Sequence, residues 1–119
     1  MKPTLVIGAS TNPNRYSFMA INMLNQYGHT VFAIGSKLDH IGALEITTEL
    51  KPFENIDTIT LYINPKIQSN YIDYIYSLNP KRIIFNPGTE HPSFMKEAIA
   101  KGIKCEEACT LVLLRIGSY

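Results

Sequence analysis

Short apolar runs alternate with amphipathic stretches along the whole chain, and that alternation dictates the class of fold. Leu5–Gly8, Thr30–Ile34, Asp57–Ile63, Arg82–Phe85 and Ile103–Glu106 read as strands. Phe18–Tyr27 reads as a helix, with Ala20, Ile21, Leu24 and Tyr27 on one face and Gly28 ending it. Asn64-Pro65 reads as the N-cap and first residue of a second helix, along which Ile67, Tyr71, Tyr74, Ile75 and Leu78 recur at helical spacing. Ser93–Lys101 reads as a third helix, stopped by Gly102, and Ala108–Ile116 as a closing one. Lys37–Glu45 reads as a loop with a very short edge strand at Leu44–Ile46, and Pro52 argues against a long helix in Thr47–Asn55.

Strands separated by helices pair in parallel through right-handed crossovers. The expected fold is therefore α/β, a Rossmann-type three-layer sandwich with a mostly parallel sheet of about five strands. It forms one domain over residues 1–119. If Asp57–Ile63 lies beside the first strand, opposite the second, strand order reverses there, and ligands bind at such a reversal, outside the carboxyl ends of the strands. The loops at those ends are Gly8–Ser17, Gly35–Lys37, Asn64-Pro65 and Asn86–His91.

The first of these loops is the richest in chemistry. An apolar strand ends on Gly8, and a polar stretch follows with three hydroxyls (Ser10, Thr11, Ser17) and the guanidinium of Arg15 before the helix begins. Free N–H groups at a helix start, together with the helix dipole, favour an anion. Gly8 permits a tight turn and leaves room for a phosphate beside the backbone. A nucleotide-type ligand is the expectation.

Which nucleotide follows from what the loops lack. The dinucleotide fingerprint G-x-G-x-x-G is absent, and a nicotinamide-binding domain wants an acidic residue after the second strand to bond the ribose hydroxyls. That position reads Gly35-Ser36-Lys37, a cation in place of a carboxylate. Lys37 is expected to meet a phosphate on the ribose, which NADP carries at the 2′ and coenzyme A (CoA) at the 3′ position.

Composition narrows the field further. With 45% hydrophobic residues in 119, the chain can build a core without metals or disulfides. Net charge is +1 with the cations dispersed, which argues against nucleic acid as a partner. No run approaches a membrane span, and no secretory leader is read, so a cytoplasmic setting is expected. Two cysteines, Cys105 and Cys109, read as reduced thiols, and no metal site is expected. Tyr62, Tyr71, Tyr74 and Tyr76 cannot all face one core, which makes a homodimer a candidate assembly.

Val6-Ile-Gly-Ala-Ser10, Asn12-Pro-Asn14-Arg15, Ser17-Phe18, Lys37, Ile41-Gly42, Asn86–Glu90 and Ala98–Ile103 together resemble the small CoA-binding proteins. These share a domain with succinyl-CoA synthetase α chains and ADP-forming acyl-CoA synthetases. The resemblance covers almost the whole chain. It implies CoA or an acyl-CoA as the ligand, with the donors of Gly8, Ala9, Ser10 and Thr11, joined by Asn14, Arg15 and Ser17, on the pyrophosphate. Ser36 and Lys37 would take the 3′-phosphorylated ribose. Ile63, Asn64 and Pro65 would pack on the adenine side, and Asn86, Pro87 and Gly88 would border the pantetheine arm.

Catalytic machinery is sparse. His29 lies at the wrong end of the sheet, His40 sits in a loop, and His91, beside Glu90, reads as a cap. Cys109 lies where relatives often have a cysteine, and its neighbours Leu111 and Val112 mark it as buried and inert. The expected function is non-catalytic binding of CoA or acyl-CoA in the crevice at the carboxyl ends of the strands. The alternatives are a small NADP-dependent oxidoreductase and an oligomeric scaffold with a vestigial nucleotide crevice.

Overall fold

The computed structural model describes residues 1–119. Its strands are β1 (Thr4–Ala9), β2 (Val31–Gly35), β3 (Asp39–Ile41), β4 (Leu44–Thr47), β5 (Thr58–Leu61), β6 (Arg82–Phe85) and β7 (Lys104–Glu107). Its helices are α1 (Tyr16–Gln26), α2 (Pro65–Gln68), α3 (Ile72–Leu78), α4 (Pro92–Ala100) and α5 (Thr110–Arg115). One sheet runs in the order β3-β4-β2-β1-β5-β6-β7. Every neighbouring pair is parallel except β3 with β4. β1 therefore sits between β2 and β5, and the expected reversal of strand order lies there.

Two-residue alternation sorts each strand between two cores. Leu5, Ile7, Ile34, Ile59, Leu61, Ile83 and Phe85 join Ile75 of α3 and Phe94 and Ala98 of α4 on one face. Val6, Val31, Ala33 and Ile46 join Ile21 and Leu24 of α1 and Leu114 of α5 on the other. On β5 that second face is polar. Thr58 and Thr60 are fully buried there, with Thr58 Oγ1 accepting from Arg82 Nε at 3.0 Å and Thr60 Oγ1 bonded to Thr110 Oγ1 at 2.8 Å. These bonds remove most of the cost of burying hydroxyls.

The sheet has seven strands rather than about five. The stretch read as a loop is a hairpin whose register pairs Ile41 with Leu44 across Gly42 and Ala43. Gly42, at φ 59°, takes the first corner of that two-residue turn, which demands a positive φ there. The second predicted helix is broken in two. At Asn70 and Tyr71 the amides bond to residues three back, Ile67 and Gln68, which tightens and ends the first piece. The tyrosines of this region are half-buried. Tyr74 Oη donates to Lys51 O and Tyr76 Oη to Glu97, while Tyr16 at the start of α1 and Tyr27 just past its end are the more exposed ones.

The amino ends of the strands carry a second polar cluster, far from the predicted crevice. The Lys2 amide donates to His29 Nδ1 at 2.9 Å. The His29 ring meets the Tyr119 ring edge-on at 4.9 Å, and the Arg82 guanidinium lies 4.4 Å from the centre of that ring. Burial, then the charges of the N-terminus, Lys2 and Arg82, hold the His29 pKa below its usual 6.5, with Asp57 opposing. The imidazole is thus neutral in the fold and binds a proton more readily in the unfolded chain. Its contribution is present above pH 6.5 and lost as pH falls below that value, because the unfolded state then takes up more protons. Stability should drop as pH falls below about 6.5, and His29→Gln should flatten that slope. Urea denaturation of both proteins on either side of that pH checks this, and parallel slopes would refute it.

Candidate functional site

Three chain segments converge at the carboxyl ends of β1, β2 and β5, and they meet that closely because two positions lack a Cβ. Gly8, at φ 98°, is an extra residue in the β1–β2 register, which runs Ile7 to Ile34 and then Ala9 to Gly35. A Cβ on Gly8 would lie 2.9 Å from Tyr62 O and 3.0 Å from Ile63 Cγ2. A Cβ on Gly35 would lie 2.6 Å from Ala9 O and 2.9 Å from Ile46 Cγ2. The room that Gly8 preserves is therefore filled first by the backbone after β5.

Beyond Gly8 the loop is held by its own side chains. Ser10 Oγ accepts from the Asn12 amide at 3.0 Å, and Asn12 Oδ1 accepts from the Asn14 amide at 3.0 Å. Asn12 O accepts from the Arg15 amide at 3.0 Å, and Arg15 then stands in extended conformation at the N-cap of α1. No side chain caps that helix start, so its first amides remain available to an anion.

The result is a cleft of about 510 Å³, within the range of small-molecule sites. One wall is polar: Gly8, Ala9, Ser10, Thr11, Asn12 and Arg15 from the loop before α1, then Gly35, Ser36, Lys37 and Asp39 after β2. The other is apolar, from Ile46, Tyr62, Ile63, Ile67 and Tyr71. Arg15 and Lys37 are exposed, and neither forms an ion pair; the two ion pairs in the structure are Lys51–Glu45 and Arg82–Glu106. The cleft thus offers two free cations and one carboxylate facing an apolar wall. That set suits a polyanion bearing a flat or apolar group.

Of the residues singled out from sequence, Gly8, Ala9, Ser10, Thr11, Arg15, Ser36, Lys37 and Ile63 line this cleft. Asn14, Ser17, Asn64, Pro65, Asn86, Pro87 and Gly88 do not. Ser17 is buried within the first turn of α1, so its hydroxyl is not among the cleft donors. Asn64 is the N-cap of α2, its Oδ1 accepting from the Ile67 amide at 3.0 Å, with Pro65 following. Asn86 is buried, and both halves of its amide are committed inside the protein. Nδ2 donates to Thr60 Oγ1 at 2.6 Å and to Leu61 O at 2.8 Å, and Oδ1 accepts from the Thr110 amide at 2.9 Å. Gly88 N–H donates to Glu90 Oε1 at 2.9 Å.

Several lining residues escaped the sequence reading. Ile67 and Tyr71 carry the helical period and were expected to face the core; Tyr71 does pack against the core while also lining the cleft, whereas Ile67 lines the cleft and is 42% exposed. Asp39 is a carboxylate in a stretch where only a cation was expected. It reaches the cleft because the chain bends at Ser36 and Lys37 before β3 begins at Asp39, a reversal that its residue types did not announce.

The remaining candidates are engaged elsewhere. His91 caps α4, its Nδ1 accepting from the Phe94 amide at 3.2 Å. Burial pushes the Cys105 thiol up to about 11, far from a reactive thiolate. Cys109 is half-buried at the N-cap of α5 rather than sealed in the core. No helix is long and apolar enough to cross a membrane.

A family model described as a CoA binding domain matches residues 2–115. A crystal structure of an uncharacterized protein is 41% identical and superposes with a TM-score of 0.98, over 100% of this chain and 98% of that one. The structure of cell-free ID.343 from Thermus thermophilus is 20% identical, with a TM-score of 0.87 over 99% and 90% of the two chains. A dinucleotide forming acetyl-coenzyme A synthetase 1 from Ca. Korarchaeum cryptofilum, in complex with phosphate and ADP, is 17% identical with a TM-score of 0.70. That likeness covers 86% of this chain and 25% of the synthetase chain. No curated protein sequence matches at a significant level.

The Gly8 geometry makes a direct prediction. Gly8→Ala should destabilise the fold by about 1–3 kcal/mol, from a strained φ and from the clash with the Tyr62 carbonyl. Chemical denaturation measures it; unaltered stability would mean that the loop relaxes freely and that no tight convergence exists.

Proposed function

This chain belongs to the CoA binding domain family, and we propose that it binds CoA, free or acylated, in the cleft between β1, β2 and β5 without catalysing a reaction on it. The single observation that carries the reading is the pair of unpaired cations, Arg15 and Lys37, both lining that cleft. The loop from Gly8 to Thr11, with Arg15, takes the diphosphate. Ser36 and Lys37 take the phosphorylated ribose. Ile63, Ile67 and Tyr71 give the adenine an apolar wall. The pantetheine arm leaves the cleft past the loop after β6, where Pro87 and Gly88 stand. The absence of turnover is supported by the side chains themselves: His91 is held as a helix cap, and burial keeps the Cys105 thiol protonated.

The reading assigns Lys37 to the 3′-phosphate, so the sharpest test compares CoA with dephospho-CoA. Wild-type protein should prefer CoA. Lys37→Ala should weaken CoA about tenfold, since a hydrogen bond to a charged group is worth about 1.5–3 kcal/mol, while changing dephospho-CoA little. The preference should shrink as salt rises, because Lys37 is exposed. Calorimetric titration of two proteins against two ligands isolates the pair. Equal losses for both ligands would remove the assignment, and NAD binding as tight as CoA would remove the ligand class.

Arg15→Ala should weaken CoA and dephospho-CoA alike, by about tenfold, because its proposed partner, the diphosphate, is common to both. Its melting temperature should stay near wild type, since the side chain is exposed and unpaired. Normal affinity in this variant would place the diphosphate elsewhere.

A further inference from the structure

We infer that Asp39 is a ligand-reading residue, the acceptor for the free ribose hydroxyl that lies next to the phosphorylated one. The inference rests on the reading of the cleft as a CoA site and adds the group that recognises the ribose itself. Lys37 and Asp39 both line the cleft, while Leu38 between them is 69% exposed and does not. The chain bends at Ser36 and Lys37 and reverses direction before β3, and through that bend both the cation and the carboxylate come to line one cleft while Leu38 stays outside.

The carboxylate is held in place but not saturated. Oδ1 accepts from the amide of His40 at 2.8 Å, which fixes the group against its own backbone. Oδ2 receives only a long bond, 3.4 Å, from Thr11 Oγ1 across the cleft. A carboxylate has about four acceptor positions, so Oδ2 keeps capacity for a donor entering between the two loops. Asp39 is also the one acidic residue among those lining the cleft.

A ribose phosphorylated at one of two vicinal positions presents an anion beside an O–H donor. The cleft presents a cation beside an acceptor. A carboxylate accepting from a ribose hydroxyl is the usual means by which folds of this architecture read a nucleotide, and here it stands with a lysine that meets the phosphate. Lys37 also offsets the repulsion that Asp39 alone would exert on that phosphate. The pair therefore recognises a monophosphorylated diol, with neither group sufficient by itself.

The test uses adenosine 3′,5′-bisphosphate and its 2′-deoxy counterpart, titrated calorimetrically into wild type, Asp39→Ala, Asp39→Asn and Lys37→Ala. Wild type should bind the hydroxyl-bearing nucleotide about tenfold more tightly than the deoxy form, the scale of one hydrogen bond to a charged group. Asp39→Ala should abolish that preference by weakening only the hydroxyl-bearing ligand. Asp39→Asn, which keeps an acceptor oxygen, should retain part of it. If either variant tightens both ligands equally, Asp39 acts by repulsion and the inference fails; equal weakening of both makes it a strut between loops, with the same consequence. Loss of the hydroxyl preference in Asp39→Ala alongside intact Lys37-dependent binding supports the inference. Wild-type binding that depends on Lys37 but ignores the hydroxyl overturns the inference alone. Failure of wild type to bind either nucleotide overturns the cleft reading and the inference with it.

Discussion

The structure depends on two places where a methyl group cannot fit. At Gly8 the chain leaves β1 against the carbonyl of Tyr62, and at Gly35 it leaves β2 against the carbonyl of Ala9. Any side chain at either point would push apart the ends of the three central strands. Convergence of backbone, rather than a particular constellation of side chains, makes the cleft narrow.

Around that convergence, two buried amides hold the outer loops in register. Asn86 joins the end of β6 to the end of β5 and to the first amide of α5. Gln68, fully buried, donates from Nε2 to Ile63 O at 2.8 Å and to Thr89 O at 2.7 Å, tying α2 to the loops after β5 and β6. Each amide satisfies carbonyls that the strands leave open where they end. An apolar residue of similar volume at either position would strand those groups without partners, at a cost of about 1–3 kcal/mol each. The polar side chains near the site therefore fall into two sets. Some face solvent within the cleft, and others hold the cleft's frame from below.

That division sets the limit on what was legible beforehand. Element type followed from hydrophobic period, so β1, β2, β5 and β6 could be read directly, as could the Asn64-Pro65 helix start, while the strand order around β1 stood only as a condition that the sheet fulfils. The β3–β4 hairpin was less visible because β3 has only three residues, none buried, and its turn carries Gly-Ala rather than Asn-Gly. The break between α2 and α3 comes from two amides that bond three residues back, a tertiary choice that apolar spacing does not encode. Polar residues posed the harder problem. Ser17 and Asn86 share the composition of ligand-contacting residues, and both serve the fold. Asp39 looks like an ordinary loop acid until the hairpin places it in the lining of the cleft. Composition marks a residue as capable of contact, while burial and partners decide whether its groups remain free.

The position of the cleft across the β1–β5 seam has a consequence for assembly of the molecule. β1 pairs with β2 through Thr4 and Val31, and β5 with β6 through Thr58 and Arg82, each across a modest stretch of chain. The β1–β5 pairing of Thr4 with Thr58 spans a much longer one, so its closure costs more entropy and follows the local pairings. The molecule is thus wired as two halves, β1 to β4 with α1, and β5 to β7 with α2 to α5. The polar wall of the cleft belongs to the first half, and most of the apolar wall to the second. A small molecule spanning both walls acts as a clasp across the costliest closure in the fold, so occupancy of the cleft and integrity of the central seam rise and fall together.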